Sequence, residues 1–279
     1  MISVKDLAFK YQSSKSPALD GINIEIEEGD FVGITGTSGA GKTTFAFALN
    51  GIIPQKIKGD FYGAVTIDGK DTAEHPAEEF ARKVGEVFQD IDSQMVASVV
   101  EDEILFGLEN FGVPHDEIGP RVDNVLKELG IEELRDREIS SLSGGQKQKV
   151  AIASILALEP EVIVLDEPTG ELDPESSRDI FRLLTKLNRE KGITVIIVEQ
   201  KIMLLCEYVK HMMVLDKGHV AFFGTPRDVV KEIDRFKELG INVPRVTELS
   251  SKLISEKIYD GEVTLTVDEA ENMIRRILK

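Results

Sequence analysis

The chain has 279 residues, 42% of them hydrophobic, and its 50 acidic against 33 basic residues give a formal net charge of −17. That is ample apolar material for a sizeable core, while the charge excludes a nucleic-acid-binding surface, which needs a basic patch, and opposes adhesion to anionic lipid. The single cysteine, Cys206, excludes an intrachain disulfide and suits a reducing compartment; on its helical stretch it reads as a small buried hydrophobe.

Residues 1–35 read as β structure. MISVKDLAFKY mixes charge with alternating apolar residues, as a first strand does and a signal peptide does not. INIEIEE at 22–28 alternates as a half-buried strand, Gly29 and Asp30 make a turn, and FVGIT at 31–35 is a continuous apolar strand running into a glycine-rich turn and a helix from Lys42. VTIDGK at 65–70 and VGEVFQD at 84–90 read as two further strands. Residues 91–159 are helix-rich, with Val122, Val125, Leu126 and Leu129 at helical spacing. From 161 the β/α alternation resumes: EVIVLDEP, the amphipathic RDIFRLLTKLNREKG, then ITVIIVEQ. Continuous apolar strands alternating with helices imply an α/β fold with a largely parallel sheet covered on both faces. Residues 1–224 then form one large domain with a helical segment inserted at about 91–159, and 225–279 a small C-terminal extension. The extension carries Pro226, Pro244 and two helical patterns; in the second, Thr266 and Glu269 have the spacing of a capping box, and Val267, Ala270, Ile274 and Ile277 make one apolar stripe. No apolar run approaches the ~20 residues of a membrane-spanning helix.

Two segments carry phosphate chemistry. GTSGAGKTT at 36–44 comprises Gly36, Thr37, Ser38, Gly39, Ala40, Gly41, Lys42, Thr43 and Thr44, and fits G-x-x-x-x-G-K-[ST] directly between a strand and a helix. The glycines let backbone N–H groups approach phosphate oxygens, the helix N-terminus adds its positive end, Lys42 reaches the β- and γ-phosphates, and the Thr43 hydroxyl ligates Mg²⁺. Far downstream, Asp166 ends a buried strand where a carboxylate can hold Mg²⁺ through its water, and Glu167 is placed to polarise an attacking water. A third segment, SLSGGQKQ at 141–148, puts Ser143, Gly144, Gly145 and Gln146 at the start of a helix, a second anion site on the same chain.

Here the sequence resembles the ATP-binding cassette (ABC) family, with LSGGQ at 142–146 unchanged. The resemblance implies a P-loop NTPase with a RecA-like, mostly parallel core and an antiparallel β subdomain. It also implies head-to-tail dimers, in which the signature loop of one subunit closes over the γ-phosphate held by the other. It assigns Tyr11 to stacking on adenine, Gln89 to contact with Mg²⁺ and the attacking water, and Asp173 to the loop GELDPES, where Glu171 replaces a smaller residue. The family's switch histidine is absent: Glu199 is followed by Gln200, then Lys201. An amide can donate to a γ-phosphate but carries no titratable proton or imidazolium charge. A slow or silent site on this chain's own phosphate loop is the expectation unless Lys201 compensates; the intact signature at 142–146 could still complete a partner's site, a pattern that suits a heterodimer with one strong and one weak site.

VGEVFQDIDSQMVASVVEDEILFGLENFGVPHDEI and the tail NVPRVTELSSKLI…LTVDEAENMIRRIL resemble, more narrowly, the ATPases of energy-coupling factor (ECF) transporters, which take up vitamins, cobalt or nickel. That likeness implies ATP and Mg²⁺ as cofactors, a second ABC ATPase subunit as partner (homo- or heterodimer), a C-terminal dimerisation extension, and a transmembrane coupling protein with a substrate-binding membrane protein. The place of work is then the cytoplasmic face of the membrane, with Phe88, Met95 and Val96 near the groove for the coupling protein. Two alternatives stand beside it: the ATPase of another ABC transporter class, and a regulatory ATP-binding subunit that hydrolyses little.

Overall fold

The computed structural model describes residues 1–278, and two sheets organise it. Strands β1 (Ile2–Tyr11), β2 (Leu19–Ile26), β4 (Gly59–Ile67) and β5 (Lys70–Asp71) form an antiparallel sheet in the order β2-β1-β4-β5. The second sheet holds β3 (Phe31–Gly36), β6 (Val84–Val87), β7 (Val162–Asp166), β8 (Thr194–Val198), β9 (His211–Asp216) and β10 (His219–Gly224). Its order is β10-β9-β3-β8-β7-β6, parallel from β9 to β6 with β10 antiparallel at the edge.

Side-chain periodicity decides which surface of each sheet is buried. In β2, Ile22, Ile24 and Ile26 point into the core while Asn23 and Glu25 face out. In β7 and β8 every residue is buried, because helices and the antiparallel sheet cover both faces. One face of the parallel sheet, with Ile34, Val164 and Ile196, packs against Phe45 and Leu49 of the helix Lys42–Leu49 and against Val4 and Phe9 of β1. The other face, with Ile163, Leu165 and Ile197, packs beneath the helices Val100–Asn110, Gly144–Leu156 and Pro174–Lys191. Each such aliphatic side chain taken from water contributes about 1.5–3 kcal/mol, so covering both faces of the parallel sheet is a main source of hydrophobic stabilisation.

Segment 91–159 is helical, and Val122, Val125, Leu126 and Leu129 are all buried in the helix His115–Leu129, as their spacing implies. The strand expected over 84–90 stops at Val87. The Gln94 side chain replaces the ladder beyond that point: its amide donates to Glu86 O at 2.9 Å and accepts from Phe88 N–H at 2.9 Å, turning the chain away from the sheet. The C-terminal segment holds four helices where periodicity showed two: Pro226–Val230, Ile233–Glu238, Arg245–Ser255 and Val267–Ile277. The first two are too short for a period to register. Thr266 caps the last helix by accepting from Glu269 N–H at 3.2 Å, but the reciprocal half of the box is missing. Glu269 instead accepts from Leu265 N–H and Arg227, both at 2.8 Å. The helix seats on Ala270 of the expected stripe and on Met273 outside it, leaving Val267 63% exposed and Ile274 and Ile277 half-buried, so the contact is shifted to one side of the stripe. Cys206 is buried, and burial pushes its thiol up to about 12, which makes it inert. Among the described residues no helix is long and apolar enough to cross a membrane.

Candidate functional site

The phosphate loop leaves β3 at Gly36 and enters the helix at Lys42. Two glycines are obligatory. A Cβ at Gly36 would meet Leu215 O at 2.2 Å, and one at Gly41 (φ +102°) would meet Ala18 O at 2.4 Å. Gly41 gives the helix no side-chain cap, so its first N–H groups stay available to an anion. Lys42 is buried and donates to Gly36 O at 2.9 Å and Thr37 O at 3.0 Å, which arches its ammonium over the loop. Thr37 is half-buried; Ser38, Gly39 and Thr43 are exposed; Ala40 and Thr44 are buried beneath them. Tyr11, at the end of β1, is half-buried; its hydroxyl shares a 2.9 Å hydrogen bond with Thr44 Oγ1, and its ring meets Phe9 edge-on at 4.9 Å. The aromatic therefore stands beside the loop.

Asp166 ends β7, one strand removed from β3 in the sheet. It is 2% exposed and its Oδ1 has no hydrogen-bond partner. Burial pushes its carboxyl above the usual range, against the pull of the neighbouring Thr43 hydroxyl. Glu167 follows in the left-handed region (φ +49°), its N–H donating to Val198 O at 2.9 Å. This turn presents its carboxylate to two amides: Gln200 Nε2 donates to Oε1 at 2.6 Å and Gln89 Nε2 to Oε2 at 3.3 Å. Three loops at the C-terminal ends of parallel strands, after β6, β7 and β8, thus meet at Glu167, the edge of an α/β sheet where ligands are usually bound.

Lys201 does not stand in for the missing histidine. Its ammonium donates to Thr169 O (2.6 Å), Leu172 O (3.0 Å) and Ser177 Oγ (2.8 Å), turned away toward the loop that follows Glu167. Glu199 is 1% exposed and accepts from Gln200 N–H, Lys201 N–H and the Thr169 hydroxyl. Sequence reasoning missed this fastening; a buried-type glutamate beside a lysine after an apolar strand was its only signal.

Ser143 caps the helix Gly144–Leu156 with a complete box, its Oγ accepting from Gln146 N–H at 3.3 Å and its own N–H donating to Gln146 Oε1 at 3.0 Å. The hydroxyl proton stays free to donate outward. Ser143 and Gly144 are exposed, while Gly144 and Gly145 lean on Leu172 and Ser176. Asp173 caps the next helix through Glu175 and Ser176, and those hydrogen bonds, that of the Ser176 side chain first, hold its carboxyl below the usual range. Among the described residues no hydrogen bond joins 36–44 to 143–146. The two anion sites of one chain are separate devices.

The residues present fit a divalent cation bound together with phosphate. An orphaned, buried Asp166 oxygen beside a threonine hydroxyl is an oxygen donor set short of its charge. Among the described residues no three His, Cys, Asp or Glu side chains gather closely enough to hold a metal by themselves, so phosphate oxygens would have to complete the shell.

Comparison with known proteins gives the family. The family model described as ABC transporter matches residues 19–170. An energy-coupling factor transporter ATP-binding protein of Caldanaerobacter subterraneus is 41% identical over 279 residues, spanning 99% of each chain. The solved structure of cbiO1 from Clostridium perfringens, part of the ABC transporter complex cbiONQ, superposes with a TM-score of 0.76 at 36% identity, over 89% of this chain and 98% of that one. A dimeric post-hydrolysis state of an ATP-binding cassette bound to ADP and Pi gives 0.71 at 30% identity, over 81% and 99%.

Proposed function

This chain belongs to the ABC transporter ATPase family, and from that premise we propose that it is the ATP-driven clamp of an ECF-type importer for a vitamin or transition-metal ion, working as a dimer on the cytoplasmic face of the membrane. ATP lies between two subunits, its phosphates on residues 36–44 of one and on Ser143–Gln146 of the other, with Tyr11 against the adenine. Lys42 and the open helix N-terminus balance phosphate charge. Thr43, Gln89 and Asp166 are the residues that would hold Mg²⁺, and the ion would neutralise charge on the β- and γ-phosphates. Glu167, steadied by the Gln89 and Gln200 amides, takes the proton of the attacking water. ATP binds the closed dimer more tightly than the open one, and that preference drives the membrane partner. The carrying observation is the convergence of Gln89, Glu167 and Gln200 beside the phosphate loop.

Partner surfaces fit this reading. Val96 is 66% exposed and Phe106 45%, on the segment expected to meet a transmembrane coupling protein. Phe88 and Met95 are half-buried there, Phe88 packing edge-on against Phe47. A groove of about 1190 Å³ runs from the phosphate loop past Pro174 and Met203 to Val243, Val246 and Val267 of the C-terminal segment. That continuity supports self-association through the extension.

A second reading, a low-hydrolysis subunit paired with an active one, is favoured by Gln200: no cation occupies the switch position, because Lys201 is spent elsewhere. ATP turnover of the purified chain, its Gln200→His variant and a Glu167→Gln control tests both. Slow wild-type turnover, a gain of about 10²-fold in Gln200→His (the low end for a positioned proton-handling group) and none in Glu167→Gln are expected. Brisk wild-type turnover indifferent to Gln200→His leaves the clamp standing and removes the second reading.

A further inference from the structure

Glu86 is a buried acid with no structural employment. It is 7% exposed, and neither carboxylate oxygen has a hydrogen-bond partner. Its strand neighbours, Val84, Gly85 and Val87, are apolar and buried. In register it faces Val164 of β7, and in a parallel sheet such partners share a face. Asp166, two residues further along β7, is on that face too, the one covered by the helix Lys42–Leu49 that the phosphate loop opens. Strand spacing and rise per residue put the Glu86 and Asp166 Cα atoms about 8 Å apart. Asp166 contributes its own unbonded Oδ1, so the two side chains bring three orphaned oxygens to one side of the sheet. Orphaned buried acceptors are rare and costly, and they call for a ligand.

We propose that Glu86 is a positioning residue of the cation site: with Asp166 it accepts hydrogen bonds from the water shell of the divalent cation bound beside ATP, and so tightens cation binding. This rests on the ATPase reading above. Glu86 acts through water rather than as a direct ligand, since among the described residues no three His, Cys, Asp or Glu side chains gather closely enough to hold a metal alone.

The test is Mn²⁺ affinity, read from free-ion electron paramagnetic resonance, of the full chain with a non-hydrolysable ATP analogue, comparing wild type with Glu86→Gln and Glu86→Leu. Nucleotide affinity in chelator is the metal-free control. Both variants lose no hydrogen bond in the folded state, and thermal melts check their folding. The expected result is Mn²⁺ binding weakened about 10-fold, the scale of lost outer-shell partners, with chelator-measured affinity unchanged. Equal Mn²⁺ affinity in wild type and both variants overturns the proposal alone. Equal losses with and without metal also overturn it, by revealing a general distortion. A wild type that binds no Mn²⁺–nucleotide at all overturns the proposal together with the ATPase reading.

Discussion

At Glu167 a carboxylate is aimed by backbone strain. A non-glycine residue at φ +49° costs on the order of 1–3 kcal/mol and persists because Val198 O and two amides hold it. Gly41 shows the converse. At φ +102° with Ala18 O where a Cβ would go, Gly41→Ala should lower stability by at least about 1–3 kcal/mol and abolish ATP binding, as read by urea denaturation and a fluorescent nucleotide. Glu86 sets a pH dependence in the metal-free protein. Its folded carboxyl is raised from 4.5 to about 8, so between those values the folded state keeps a proton that the unfolded chain releases. Stability is therefore full below 4.5, is lost as pH rises through that window, and is level above it. Glu86→Gln should flatten the fall, raising stability at about pH 8 by a few kcal/mol relative to about pH 5; denaturation midpoints across pH measure it. The phosphate-loop residues were legible one by one because their spacing is local. Glu86 was not: inside VGEVFQD it reads as the polar position of an alternating strand, and only β7 beside it and the cover on its face make it buried.

At the scale of elements, the loops are tied to one another more than to the strands that carry them. Lys201, after β8, grips the loop that follows Glu167 and the first turn of the helix Pro174–Lys191, and Leu172 of that loop and Ser176 of that turn meet the glycines of the signature helix. Lys147 of that helix pairs with Asp92 at 2.6 Å, and Glu103 accepts from Val96 and Ala97 N–H, fastening the segment after Gln89 to two helices. Lys201→Met should destabilise the fold by about 2–3 kcal/mol, two or three net charged hydrogen bonds discounted for partial exposure, and speed amide exchange over 169–177. Unchanged exchange there would remove Lys201 from the link. Helix identities were readable from periodicity, as in Val122–Leu129. Side-chain hydrogen bonds between segments were not: Gln94 ends the strand β6 early, and Glu269 turns to Arg227 although Thr266 still caps the last helix.

For the whole molecule, charge and shape set the conditions of assembly. Two subunits of net charge −17 repel across any shared face. Raising salt from about 0.01 M to about 0.15 M shortens the screening length from about 30 Å to about 8 Å, so ATP-dependent self-association in the Glu167→Gln variant should strengthen over that range by sedimentation velocity. Weakening with salt would mean that the contact is held by opposite charges instead. Exposed Met203 and Val267 along the groove give such a contact its apolar part.

The sequence by itself determined what is written in short spacings: the phosphate loop, the Asp166–Glu167 pair at a strand end, the Ser143 helix start, and the alternation that makes an α/β sheet. Each depends on residues within a turn or a strand of one another, where covalent geometry already fixes the neighbours. Only the tertiary structure decided that Gln89 and Gln200 meet on Glu167, that Lys201 turns away to the following loop, that the last helix seats on Ala270 and Met273, and that Glu86 shares a buried face with Asp166. Those outcomes depend on which strands lie side by side and which helices cover them, and burial, unlike local conformation, is a property of the packed molecule.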